Sequence, residues 1–123
     1  AQWQKAATYL EAGEKTRTAL YKLGMCYYNQ GAFDKARANL IKAAENANDE
    51  MAQNAWLHTG IASLRLIKKT DAQTAFMNAA QMNASKSLKE MAMYNYALTL
   101  HEQNSPQTVK VMEDFLNEFP TSQ

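Results

Sequence analysis

Cysteine is nearly absent from the 123 residues: Cys26 stands alone. That excludes an internal disulfide and a zinc site built on paired cysteines. Cys26 lies inside a helical pattern beside Tyr27, without a basic neighbour or a helix N-terminus to activate it, so it reads as a small packed hydrophobe. Proline is also scarce, with Pro106 and Pro120 both near the C-terminal end. Acids and bases are interspersed, the net charge is +1, and no run of one sign occurs. This argues against a nucleic-acid or anionic-membrane surface. No apolar stretch approaches the ~20 residues that a membrane span needs. Phosphate-cradling G-x-x-x-x-G-K, dinucleotide-binding G-x-G-x-x-G and the nucleophile elbow G-x-S-x-G are all missing. The two histidines, His58 and His101, belong to different helical segments and form no H-E-x-x-H pair, so they read as half-buried hydrogen-bonding groups. Glu11 with Glu14, and Asp49 with Glu50, sit at helix ends and turns as surface charge. Nothing here points to an enzyme, a metal or a cofactor. Ala1 is preceded by neither an initiator Met nor a leader-like segment, so the chain reads as excised or processed.

What is abundant is alanine in a helical context, within a hydrophobic content of 46%. From Leu20 to Ala43 two apolar-periodic helical patterns flank Asn29-Gln30-Gly31. Leu20, Leu23, Tyr27, Phe33, Leu40 and Ala43 recur at three- and four-residue spacings, and Gly24 and Ala36 lack the bulk to keep two backbones apart. One such hairpin cannot bury its own face, so neighbours of the same kind are expected. A shift of 36 residues supplies them. Leu20 falls on Trp56, Gly24 on Gly60, Ala36 on Ala72, Leu40 on Phe76 and Ala43 on Ala79. A looser third copy continues through Met112 and Phe115, and its first helix carries Met93, Tyr96, Ala97 and Leu100 with the small residue displaced by one place. A two-helix unit of this length, repeated, means a solenoid.

Leu20-x-x-Leu23-Gly24-x-x-Tyr27, followed by Gly31, Phe33, Ala36, Leu40 and Ala43, resembles the tetratricopeptide repeat. Trp56, Gly60, Ala72, Phe76 and Ala79 are similar to a second copy, with Thr59 and Ser63 in place of the family's Leu and Tyr and a turn, Ile67-Lys68-Lys69, that has no glycine. Met112-Glu-Asp-Phe115-Leu116-Asn-Glu-Phe119-Pro120 resembles the close of many bacterial cell-envelope repeats, which implies a periplasmic or outer-membrane-associated setting. The resemblance implies an all-α, right-handed superhelix of about three helical hairpins, with the chain forming one domain: residues 1–16 end a preceding repeat, and 17–52, 53–88 and 89–123 are the three copies. It also implies a concave groove lined by the first helix of each pair. Carried over by position, the groove candidates are Thr18, Tyr21, Met25 and Tyr28, then Asn54, Leu57, Ile61 and Leu64, then Met91, Tyr94, Leu98 and His101. Family members that clamp a peptide carboxylate use Lys, Asn and Arg there. Here the groove is apolar, and Lys22 or Arg65 alone cannot restore a clamp. It suits an apolar peptide or helix of a partner protein, while packing within a longer array, or self-association into a homo-oligomer, is the architectural alternative. The seven methionines suit either.

In chain order, residues 1–12 read as a helix with Trp3, Ala7 and Leu10 on one face, ended by Gly13. The next starts near Thr16 and runs to about Asn29, and its partner ends near Asn46. Asp49 is a good N-cap for the helix of Trp56, and Thr70 for the helix of Phe76. Ser87-Leu-Lys-Glu90 reads as a capping box. Ser105-Pro106 starts the last helix and Phe119-Pro120 stops it. The expectation is seven helices and no strand.

Overall fold

The computed structural model describes residues 5–121, with side chains placed from residue 13 onward. Among these residues there are six α-helices and no strand: α1 (Lys5–Asn29), α2 (Phe33–Ala44), α3 (Glu50–Arg65), α4 (Lys69–Ala80), α5 (Lys86–Glu102) and α6 (Thr108–Glu118). The seventh expected helix is absent because α1 runs through Gly13 and Thr16 without a break. One interior glycine costs a helix only about 1 kcal/mol, Gly13 does not take a positive φ, and Glu14, Lys15 and Arg17 around it are good helix formers. Trp3 and the side chains of Ala7 and Leu10 lie outside the described residues.

The helix starts separate good from bad readings of the caps. Asp49 caps α3 as expected, its Oδ1 accepting from the Ala52 N–H at 2.9 Å. α5 is capped by Ser85, two residues before the expected Ser87. Ser85 has the extended backbone (φ −133°, ψ 121°) that an N-cap requires, and its hydroxyl oxygen accepts from the Leu88 N–H. Ser87 is already in the first turn, so no capping box forms with Glu90. Thr70 likewise falls inside α4, whose N-cap position is Lys68 with no side-chain bond. Ser105 and Pro106 build the turn before α6 instead of its first residues: the Ser105 carbonyl accepts from the Thr108 N–H and hydroxyl. Phe119, ahead of Pro120, leaves the helical conformation (φ −128°, ψ 64°) and ends α6 as expected.

Within each hairpin the same turn recurs. The N–H of Ala32, Lys68 and Ser105 reaches the carbonyl five residues back, on Tyr27, Ser63 and Leu100, at 2.9, 2.8 and 2.9 Å. One residue earlier, the N–H of Gly31, Ile67 and Asn104 reaches back three residues. This is the Schellman pattern, and it holds the penultimate residue in the left-handed region. Gly31 has φ 80°, Ile67 58° and Asn104 54°. The turn that lacks glycine is therefore built all the same, with a β-branched residue in the strained place.

Two glycines set the helix crossings. A Cβ on Gly24 would sit 2.8 Å from the Leu40 side chain, and one on Gly60 2.4 Å from the Phe76 ring. Both large side chains are fully buried, as are Ala36, Ala43, Ala72 and Ala79. Each hairpin is then sealed by the first helix of the next. Ala52 and Ala55 of α3 close the cluster of Ala36, Leu40 and Ala44, and Ala92 of α5 closes the cluster of Leu57, Ala72, Phe76 and Ala79. The first helices, α1, α3 and α5, approach one another directly, whereas α2, α4 and α6 do not come as close. The Arg37–Asp71 ion pair at 3.1 Å bridges α2 and α4.

Candidate interaction groove

The expected groove residues fall on α1, α3 and α5. Tyr21, Met25 and Tyr28, Asn54, Ile61 and Leu64, and Leu98 are half-buried, while Tyr94 and His101 are exposed. Leu57 is the correction. It is 0% exposed and packs with Phe76, Ala79 and Ala92. It occupies the same repeat position as Tyr21 and Tyr94, but α5 lies over it, so it is core and lines no groove.

On α1 and α3 several candidates are drawn together. The Asn54 amide donates to the Tyr21 hydroxyl. Tyr28 meets the His58 ring edge-on with centroids 4.9 Å apart, and Phe33 packs against Tyr28 at 5.8 Å. His58 Nδ1 lies 2.9 Å from the Asn54 carbonyl; donating there leaves Nε2 of the neutral ring as an acceptor. Between these helices opens a hollow of about 530 Å³, lined by Thr18, Tyr21, Lys22, Glu50, Met51, Asn54 and Leu88. Its walls are aliphatic and aromatic, with one acid, one base and an amide. On α5 and α6, Tyr94 packs on Phe115 and Phe115 on Phe119, at 5.8 and 5.7 Å. A larger cleft of about 740 Å³ lies among α4, α5 and α6, with Met77, Met93, Tyr96 and Val111 in its wall and Lys89, Asp114 and Glu118 among its polar groups.

Chemistry beyond binding finds no assembled group. Among the described residues no three His, Cys, Asp or Glu side chains gather as a metal ion requires, and no helix is long and apolar enough to cross a membrane. Cys26 is exposed, contrary to the expectation that it packs inside.

Sequence reasoning missed the polar residues that hold the helices to one another. Arg17 donates from Nε to the Ala43 carbonyl at 2.7 Å and clasps the Asp49 carboxylate with both terminal nitrogens, at 2.7 and 2.6 Å. Thirty-six residues on, Gln53 does the same work with an amide. Its Nε2 donates to the carbonyls of Ala79 and Met82, and its Oε1 accepts from the Ser85 N–H at 2.8 Å. Another thirty-six residues on, Lys89 bonds Asn83 Oδ1 and pairs with Glu118 at 3.0 Å. Arg17 and Gln53 thus fasten the end of a second helix to the start of the next first helix, and Lys89 ties the α4–α5 loop to the end of α6; only the same 36-residue shift, applied to polar positions, could have revealed them. The bidentate pair also sets the electrostatics. The Arg17 hydrogen bond, helped by the Ala52 N–H, pulls the Asp49 carboxyl down to about 2, and Asp49 raises the Arg17 guanidinium in turn.

Comparison with known proteins agrees with this architecture. The tetratricopeptide repeat profile matches residues 18–47 and 91–122, together half of the chain. These are the hairpins α1–α2 and α5–α6, and the hairpin between them repeats the glycine crossing of the first and the Schellman turn of both. No significant match was found among curated proteins or solved structures. Repeats of this type generally mediate protein–protein contacts and are typically non-catalytic. With half of its length matched and the intervening hairpin built on the same plan, the chain belongs to the tetratricopeptide repeat family.

Proposed function

We propose that α1, α3 and α5 form the concave face of a right-handed superhelix, and that this face holds an apolar peptide or helix of a partner protein. The observation that carries this reading is the hollow between α1 and α3, where Tyr21, Met51 and Asn54 offer apolar area beside an amide. That combination suits a short segment anchored by one or two aliphatic side chains. The close approach of the first helices, with the second helices further apart, supports the direction of curvature. On this reading the repeats are 17–52, 53–88 and 89–123, and Ile61, Leu64, Leu98 and His101 extend the groove. The close at Phe115-Leu116 and Pro120 supports a bacterial cell-envelope setting as part of the same proposal.

The test is a photo-crosslinking amino acid placed at Met51, in cells that express the chain. One partner protein, crosslinked through a defined segment and lost on Tyr21→Glu, is the expected result. Adducts to further copies of the same chain alone would overturn it in favour of the second reading, an architectural segment that self-assembles. That reading has its own observation: Asn54 to Tyr21, and His58 to Tyr28, spend groove side chains on tying α1 to α3.

A further inference from the structure

Among α2, α3 and α4 opens a cleft of about 480 Å³ whose wall carries Trp56, Met82 and the carboxamides of Asn46, Asn48, Asn78 and Gln81. It shares no residue with the hollow between α1 and α3, and no charged side chain lines it. Trp56 is half-buried and packs on both cores, so its ring is held firmly where it meets the cleft. Among the described residues, the amides that donate or accept within the fold are those of Asn39, Gln53, Asn54, Asn83 and Asn95. Asn39 and Asn95 stand inside helices and turn back to the carbonyls of Lys35 and Met91. Asn78, inside α4, does not, although asparagine is among the poorer helix formers. Asn46 has a backbone reason of its own, its φ of 60°; Asn48, Asn78 and Gln81 lack that reason. The cleft one repeat further on is lined differently. A step of 36 residues takes Asn78 to Asp114, Gln81 to Asn117 and Met82 to Glu118, and Lys89 joins these three in a wall without tryptophan. The neutral set around Trp56 is therefore not imposed by the repeat.

We infer that this cleft binds a neutral saccharide, about one or two pyranose rings in length by its volume. A carboxamide sets two N–H donors beside an acceptor oxygen. Neighbouring sugar hydroxyls need that pairing, since each both donates and accepts. The negatively polarised face of the Trp56 indole attracts the C–H bonds that line one side of a pyranose ring. Phosphate, sulfate and carboxylate ligands call for a cation in the wall, and none is there. A lipid chain would strip water from four amides and give no hydrogen bond in return.

The probes are cellobiose and di-N-acetylchitobiose, each titrated to about 50 mM against the whole chain labelled with nitrogen-15. The indole N–H of Trp56 and the side-chain amides of Asn78 and Gln81 are the signals followed. Saturable shifts at these groups with at least one of the two sugars are expected, with a Kd of about 1–10 mM. Asn78→Ala should weaken binding about ten-fold. Alanine is the better helix former, so α4 survives that change, and circular dichroism checks it. Gln81→Ala, at the end of α4, is the second variant and should act in the same direction. No saturable shift with either sugar, or shifts that survive both substitutions, would overturn the inference. So would equal shifts with N-methylacetamide, which carries the amide of a peptide and no pyranose ring. Tighter binding of glucose 6-phosphate than of cellobiose would overturn it too, because the neutrality of the wall would then not govern the ligand.

Discussion

Ile67 is the residue whose replacement should reveal most. Left-handed backbone costs an L-residue about 1–2 kcal/mol, and a β-branched side chain sits at the upper end. Glycine pays no such penalty but loses more chain entropy on folding, about 0.5–1 kcal/mol relative to alanine. The side chain is 79% exposed, so its removal forfeits little burial, and the bonds of the turn all come from backbone groups that the substitution leaves in place. Ile67→Gly should therefore raise the unfolding free energy by about 1 kcal/mol, or the melting temperature by about 4 °C for a chain of this size. Urea titration followed by circular dichroism reads the difference, provided the m-value is unchanged. Gly31 gives the reciprocal control. It has φ 80° and nothing within 4 Å of an added Cβ, so Gly31→Ala isolates the backbone cost and should lose about 1 kcal/mol. Should Ile67→Gly prove neutral or destabilising while Gly31→Ala behaves as expected, the turn would not be strained at Ile67 and the reasoning would fail.

Other outcomes follow from the same geometry. Gly60→Ala drives a Cβ into the Phe76 ring and should cost about 1–3 kcal/mol in the same titration; an unchanged midpoint would refute the crossing. Gln53→Leu removes three hydrogen bonds and leaves the Met82 carbonyl and the Ser85 N–H without their partner, and a loss of about 2–4 kcal/mol is expected, with a loss below about 0.5 kcal/mol as the refuting result. Thr59 buries a hydroxyl with no hydrogen-bond partner among the described residues, so Thr59→Val should be neutral or stabilise by up to about 1 kcal/mol. Asp49 ionises at about 2 when folded against 3.8 ordinarily. A depressed carboxylate contributes stability above the unfolded value and loses it as pH falls through the folded one, so wild type should shed stability between pH 4 and 2 more steeply than Asp49→Asn. Parallel acid-titration curves for the two proteins would contradict the Arg17 pairing.

Much of the fold was legible because it is written in volume. Gly24 facing Leu40 and Gly60 facing Phe76 are unlike pairs of sizes that only a close crossing explains, and the 36-residue shift sets them in register. Features governed by backbone hydrogen bonds were less visible. The turn at Ile67 forms despite its residue, because the 6→1 bond from Lys68 to Ser63 fixes the backbone whatever side chain it carries. Gly13 misled for the opposite reason: glycine marks a helix end only when a left-handed conformation is needed there, and along α1 none is. Ser87 was a plausible cap, but the extended residue is Ser85. The half-buried positions of α1 were legible from their place in the repeat, and the burial of Leu57 was not, since whether that repeat position is surface or core depends on which helix the next repeat lays across it. Polar fasteners such as Gln53 leave no trace in hydrophobic periodicity at all.

The three fasteners have a consequence for how the stack comes apart. A solenoid unfolds as a row of units joined by nearest-neighbour interfaces, and here the joints are made of different materials. The Arg17–Asp49 joint is an ion pair whose carboxylate is half open to solvent, so acid and salt can loosen it. The Gln53 joint is a buried neutral amide, indifferent to both. Under acid stress the row should therefore part between α2 and α3 first, releasing α1–α2 as a flap while α3 to α5 stay closed. Chemistry that looks like mere bracing thus assigns one seam of the array to respond to the medium and another to ignore it.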